Sequence, residues 1–155
     1  FAHTHPANNA MSSGMQLHRE DRSFVRYAAK SGETEVAISQ VAESKTTNPE
    51  IRDFAQMIVR DHTDANSKLM SLAASKNVKL STEAPKIDKW EKMSGKDFDE
   101  DYLDKMVDDH QDAVKLFEKE AKNGSDSDLT SFASSTLPTL QKHLDRAKTL
   151  KAAVK

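Results

Sequence analysis

The chain contains no cysteine, which excludes disulfides, thiol catalysis and metal sites built on thiolates. No apolar run approaches the roughly 18 residues that a membrane-spanning helix requires, so no membrane span is expected. Neither sign of charge dominates, because 23 basic and 25 acidic residues are interleaved and give a formal net charge of −2. That balance argues against nucleic acid as a partner, since nucleic-acid-binding domains carry a basic patch.

Glycine and proline are also scarce, with four of each among 155 residues, and helical patterns take up most of the chain. Apolar residues recur with a 3.6-residue period in four segments, which begin near Asp21, Asn48, Ser94 and Ser125. The first and third connections are short, whereas residues 77–94 form a long one. We therefore predict an all-α, ferritin-like four-helix bundle over residues 21–155, preceded by an extended N-terminal tail over residues 1–20. The long connection fits a crossover, and an up-down-up-down path is also compatible.

Local residues mark several helix ends. Asn48 followed by Pro49 is typical of an N-cap with proline at the first helical position. Ser94 with Asp97 three residues later approximates a capping box. Gly32 inside the first helix would allow a close approach by a neighbour, and Pro138 removes one backbone bond and should kink the fourth helix.

Four polar residues interrupt the apolar faces. They are Glu35, His62, His110 and His143. Each of the four predicted helices contains one of them, within about one helical turn of the helix midpoint. In a bundle of helices of matched length, these side chains should meet in one layer.

Such a layer favours a metal ion. Burying a carboxylate and three imidazoles without compensation would cost several kcal/mol, and a cation removes that cost by pairing the carboxylate and accepting imidazole lone pairs. Three nitrogens and one oxygen suit zinc, iron, manganese or copper, whereas calcium and magnesium prefer oxygen. The alternative is a polar layer without metal, in which the histidines are hydrogen-bonded or partly exposed.

A repeated sequence surrounds two of the histidines. Residues 58–65 and residues 106–113 share the sequence Asp-His-x-Asp-Ala, with the histidine on the apolar face both times. The first aspartate of each, Asp61 and Asp109, points about 100° away and is assigned to an outer position or to surface pairs.

Di-iron bundles carry Glu-x-x-His on two helices. Here the residues three positions before the histidines are Val59, Val107 and Leu140. A single-metal site is therefore expected rather than the usual di-iron site with its oxidase chemistry.

The tail offers another possible copper or nickel motif. Phe1-Ala2-His3 would bind through a free amine, two amides and an imidazole, and His5 and His18 could add ligands. A fortuitous pair of histidines is the alternative. A chain beginning with Phe1 also fits removal of a signal peptide, and the expectation of an exported protein rests mainly on the resemblance described next.

The chain resembles a large bacterial family of exported proteins with a ferritin-like domain of unknown function, some of them labelled outer-membrane proteins. The motifs that carry the resemblance over residues 21–153 are Phe24-Val25, Ala28-Ala29, Gly32, Glu35-Val36, Asn48-Pro49-Glu50, Phe54-Ala55, Asp61-His62, Phe98-Asp99, Tyr102-Leu103, Met106-Val107, Asp109-His110, Leu137-Pro138, Leu140 and His143-Leu144. The resemblance implies a four-helix bundle in the periplasm or outside the cell, and no established activity.

Three functions follow from these observations. The first is a metal-binding protein of the cell envelope that handles a transition metal or contributes to stress resistance. The second is a structural or assembly protein whose N-terminal tail docks onto neighbouring subunits in a homo-oligomer. An enzyme is the third and less favoured, because no general base or nucleophile accompanies the histidines, although Tyr27 and Tyr102 could approach them.

Overall fold

Four long helices form the bundle. The structure is a computed structural model that describes residues 17–154, and its helices are α1 (Arg19–Lys45), α2 (Pro49–Ser75), α3 (Asp88–Lys92), α4 (Gly95–Asn123) and α5 (Ser127–Ala153). The predicted all-α bundle is therefore confirmed. Within residues 17–154, none of the helices combines the length and apolar composition needed to cross a membrane. The predicted Phe1-Ala2-His3 motif, His5 and most of the predicted docking tail lie outside the described residues.

The chain takes the crossover path. Helix α1 packs against α2 and α4, and α5 packs against the same two helices. Helices α1 and α4 are antiparallel, because Phe24 contacts Phe117 with ring centroids 4.9 Å apart, while Ser39 bonds Tyr102 at 2.7 Å. Helix α4 therefore runs parallel to α2, its diagonal neighbour, as the contact between Phe54 and Tyr102 also shows.

The connection between α2 and α4 accordingly travels the length of the bundle beside α1. Near its start, Arg26 donates to the carbonyl of Lys79. Near its end, Lys45 donates to the carbonyl of Glu91. This crossover is the ferritin-like arrangement, and it brings the midpoints of all four long helices to one level.

Two local predictions need correction. No helix was predicted within the connection 77–94, but residues 88–92 form α3, which buries Trp90 against Phe98 with ring centroids 6.0 Å apart. Ser94 does precede α4, yet its side chain makes no capping bond. The reason is that the chain enters α4 through Gly95 at a φ of +64°, not the helical conformation that a capping box has at that position.

The other local predictions agree better with the structure. The side chain of Asn48 accepts bonds from the amides of Glu50 and Ile51, as an N-cap should. Gly32 does allow a close approach, since a Cβ there would lie 2.0 Å from Oδ1 of Asn66. Pro138 lies inside α5, which continues on both sides of it, and the kink there stays a prediction.

A buried pair of acids, Asp21 and Glu120, lies at the end of the bundle where α1 begins. Asp21 accepts bonds from the amides of Ser125 and Asp126 and thereby fixes the turn between α4 and α5. Glu120 lies beside Asp21 and is only 5% exposed. Burial first, and then Asp21, raise the pKa of Glu120 from 4.5 to about 8.

This raised pKa predicts a dependence of stability on pH. Between pH 4.5 and about 8 the folded protein holds a proton on Glu120 that the unfolded chain has released. The free energy of unfolding should therefore fall as pH rises through that range and level off above it. In denaturant titrations, Glu120→Gln should weaken this fall, whereas the exposed control Glu118→Gln on the same helix should not. Equal pH dependence in both variants would contradict the assignment.

Candidate metal centre

Three imidazoles meet at the centre of the bundle, one each from α2, α4 and α5. The ring centroids of His62, His110 and His143 form a nearly equilateral triangle with sides of 5.4, 5.3 and 5.3 Å. Each ring offers a nitrogen within 4.8 Å of the other two. Among residues 17–154, no other group of three His, Asp or Glu side chains has this spacing. Large apolar clusters lie on both sides of the layer along the bundle.

The triad is electrically neutral near pH 7. Burial lowers the pKa of His62 well below its usual range, and mutual repulsion with the other two rings adds to the effect. Burial also lowers the pKa of His110 to about 4, and it lowers the pKa of His143 even though Asp61 opposes the shift. A metal ion binds neutral imidazole, so the protein keeps these ligands in the required protonation state.

Hydrogen bonds define which nitrogens have free lone pairs. Nδ1 of His110 lies 2.8 Å from the carbonyl oxygen of Met106, which can only accept, so Nδ1 carries the proton. The lone pair of His110 is therefore on Nε2, 3.4 Å from Nε2 of His62. Similarly, Nε2 of His143 donates to Asp61 at 2.8 Å. Nδ1 of His143 then bears a buried lone pair with no hydrogen-bond partner within the part of the chain that the structure describes.

Glu35 reaches the same layer from α1, but on the outer side of His110. Its Oε1 lies 3.4 Å from Nδ1 of His110, the nitrogen that faces away from His62. Both carboxylate oxygens are buried and lack a hydrogen-bond partner among the described residues. Burial, and next the neighbouring Asp109, raise the pKa of Glu35 well above its usual range. The structure thus groups the three histidines and places Glu35 behind one of them; whether Glu35 is a ligand stays a prediction.

Asp61 and Asp109 both lie outside the triangle of histidines, as their helical positions suggested, but they have different roles. Asp61 fixes the ring of His143, whereas Asp109 pairs with Lys105 at 3.2 Å on the surface of α4. Tyr102 bonds Ser39 instead of a histidine. Sequence reasoning missed Asn66, which lies over Gly32 and lines a cavity next to the triad; its only signal was a polar residue opposite a helical glycine.

The fold and site thus define a helical bundle with a buried three-histidine centre. A family model described as "Domain of unknown function (DUF4142)" matches residues 6–150, and the chain belongs to that family. No protein of curated function matches the chain in sequence.

Several solved structures share the fold. One is CopM in the Cu(I)-bound form, which is 17% identical over 83% of this chain and 93% of its own, with a TM-score of 0.72. CopM in the Cu(II)-bound form is 15% identical over 87% of this chain and 97% of its own, also with a TM-score of 0.72. A DUF305 fragment from Deinococcus radiodurans is 10% identical over 89% of this chain and 97% of its own, with a TM-score of 0.75.

Proposed function

We propose that the protein binds one transition-metal ion through His62, His110 and His143 and serves in metal handling. The observation that carries the proposal is the convergence of three buried, neutral imidazoles, one of which leaves a lone pair unpartnered in the interior. Leaving a buried acceptor unpaired costs about 1–3 kcal/mol, and a cation at the centre of the triangle would remove that cost. A plain polar layer would be expected to pair its nitrogens with protein groups.

Copper is the first ion to test. Imidazole ligands suit copper, zinc, iron and nickel, and without thiolates the donor set itself does not select among them. CopM, whose solved structures include copper-bound and silver-bound forms, shares the fold of this chain. The missing Glu-x-x-His pattern supports one ion rather than the usual di-iron pair.

Two carboxylates support the ion in this proposal. Asp61 holds His143 in the tautomer that leaves Nδ1 free, an outer-shell role that is common in metal sites. Glu35 stands at the outer nitrogen of His110. A cation in the triad would favour the ionised form of Glu35, which then offsets the buried positive charge.

The direct test is metal analysis of the full chain purified without a polyhistidine tag. After loading and dialysis we expect the full chain to retain about one equivalent of copper more than a variant lacking the triad, as a three-histidine site predicts, and competition with a chromophoric chelator gives the affinity. Because His3, His5 and His18 can also bind copper, the same measurement is made on a variant lacking the triad. Equal copper content in the two proteins would rule out the proposed centre.

Substitution of Asp61 should lower the copper affinity without abolishing binding. Asp61→Ala should lower copper affinity by about 10–100-fold, because His143 loses the partner that orients its ring. Asp64→Ala removes the same charge from an exposed position of α2 and is the matched control. The chelator competition measures both, and an unchanged affinity in Asp61→Ala would show that His143 does not depend on this bond.

We further propose that the protein works in the cell envelope as an exported protein. The absence of cysteine is compatible with an oxidising compartment, and the motif resemblance described above implies export. Fractionation of the native cells, followed by detection with an antibody against the bundle, tests this directly. Recovery in the cytoplasmic fraction alone would contradict it.

A further inference from the structure

A cavity adjoins the triad on one side only. His62 and His143 form part of its wall, and the rest comes from all four long helices, on the side toward the end of the bundle where α1 begins. The apolar part of the lining includes Leu69, Phe117 and Leu140. His110 is absent from the wall among the residues that the structure describes. The cavity therefore faces the triad between two of its three rings.

The sequence explains this asymmetry. On the closed side, the layer next to the histidines contains Ile38, Ile58 and Met106, which are fully buried and fill the space between the helices. On the cavity side, the corresponding positions carry small residues. Those that line the cavity are Ala28, Gly32, Ala65, Ala113 and Thr139.

The cavity is close to the surface at two places. Asn66, whose amide lies over Gly32, lines both the cavity and an exterior groove that contains Met70. Tyr27, which is 40% exposed, lines both the cavity and a surface depression beside Asp109.

The dimensions and lining restrict what can enter. The cavity has a volume of about 30 Å³, whereas a single water needs roughly 10–15 Å³ of such space. This space fits two or three small atoms and is too small for a bulky organic substrate. The lining is mainly apolar, so an uncharged molecule is favoured over an anion.

We propose that an ion held by the three histidines keeps one exchangeable coordination position directed into this cavity, and that the position binds a small uncharged diatomic molecule. This inference rests on the proposed metal centre. Three protein ligands leave a fourth position open around a tetrahedral ion, and the cavity between His62 and His143 is the space next to the triad that can receive a further ligand.

Carbon monoxide on the Cu(I)-loaded full chain is the test. We expect saturable binding with a single C–O stretching band in the infrared. Ala28→Leu fills the cavity from α1, which supplies no histidine, and should retain copper while binding carbon monoxide at least about tenfold more weakly. Ala74→Leu makes the same substitution at an exposed position of α2 and should bind like the unmodified protein.

Thr136→Leu fills the same cavity from α5 and repeats the test if Ala28→Leu does not fold. A size series on the unmodified protein needs no variant: methyl isocyanide should bind, and tert-butyl isocyanide should not. Copper binding without carbon monoxide binding would overturn this inference and leave the metal centre intact. So would undiminished carbon monoxide binding in the filled variants, or binding of the bulky isocyanide. Failure to bind copper at the triad would instead reject the proposed function itself.

Discussion

Replacing all three triad histidines by asparagine should remove one equivalent of bound copper from the full chain. The affinity of the bundle for Cu(I) should fall by at least about 1,000-fold, which corresponds to about 4 kcal/mol. The reason is that His62, His110 and His143 supply every nitrogen of the proposed centre. Asparagine keeps a polar side chain of modest size at each position, but it offers no imidazole lone pair. Elemental analysis and chelator competition measure the loss.

The design of this experiment separates the centre from other copper ligands. His18 precedes α1 and is exposed, so His18→Asn is the control that removes an imidazole without touching the triad. It should leave the triad's equivalent of copper in place. If the triple variant keeps its full copper content, or if His18→Asn loses as much, the triad is not the binding site and the polar layer is a structural feature of the bundle.

The position of the site could be predicted because helical periodicity alone fixes which residues face the core. His62, His110 and His143 each interrupt an apolar stripe near a helix midpoint, so any bundle with matched helices brings them to one level. The structure places all three in the interior at that level. The crossover could not be chosen over the alternative from sequence, because residues 77–94 are long enough for either path.

The chemical details of the site depend on geometry that periodicity does not contain. A helical wheel puts Glu35 in the same layer, but it cannot show that the carboxylate meets the outer nitrogen of His110. It also could not show that Asp61 bonds His143, since that contact crosses from α2 to α5. These details depend on the rotation of each helix within the bundle and on side-chain rotamers.

The cavity, too, could be predicted from the sequence only in part. Ala28, Ala65 and Ala113 were visible in the sequence as ordinary members of the apolar stripes. That all three line one cavity became apparent only when the antiparallel packing of the helices was known. Their small side chains fill less volume than the isoleucines and methionine on the opposite side of the histidines, and the difference is the space that the further ligand would use.

Copper should also stabilise the fold by an amount that identifies where it binds. With free Cu(I) held at 1,000 times the dissociation constant, a site present only in the folded protein adds about 4 kcal/mol to the free energy of unfolding. For a domain of this size, that corresponds to a rise of roughly 10 °C or more in the melting temperature. The triad qualifies as such a site because its histidines come from three different helices.

A copper site in the N-terminal motif predicts the opposite result. Phe1-Ala2-His3 consists of consecutive residues, so it can bind Cu(II) equally in the folded and the unfolded chain and adds no stability. Calorimetry of the unmodified protein and of the triple asparagine variant, each with and without copper, distinguishes the two sites. Stabilisation present only in the unmodified protein assigns the ion to the bundle. Copper that binds without raising the melting temperature of either protein would place it outside the triad, and the three buried imidazoles would then need another explanation.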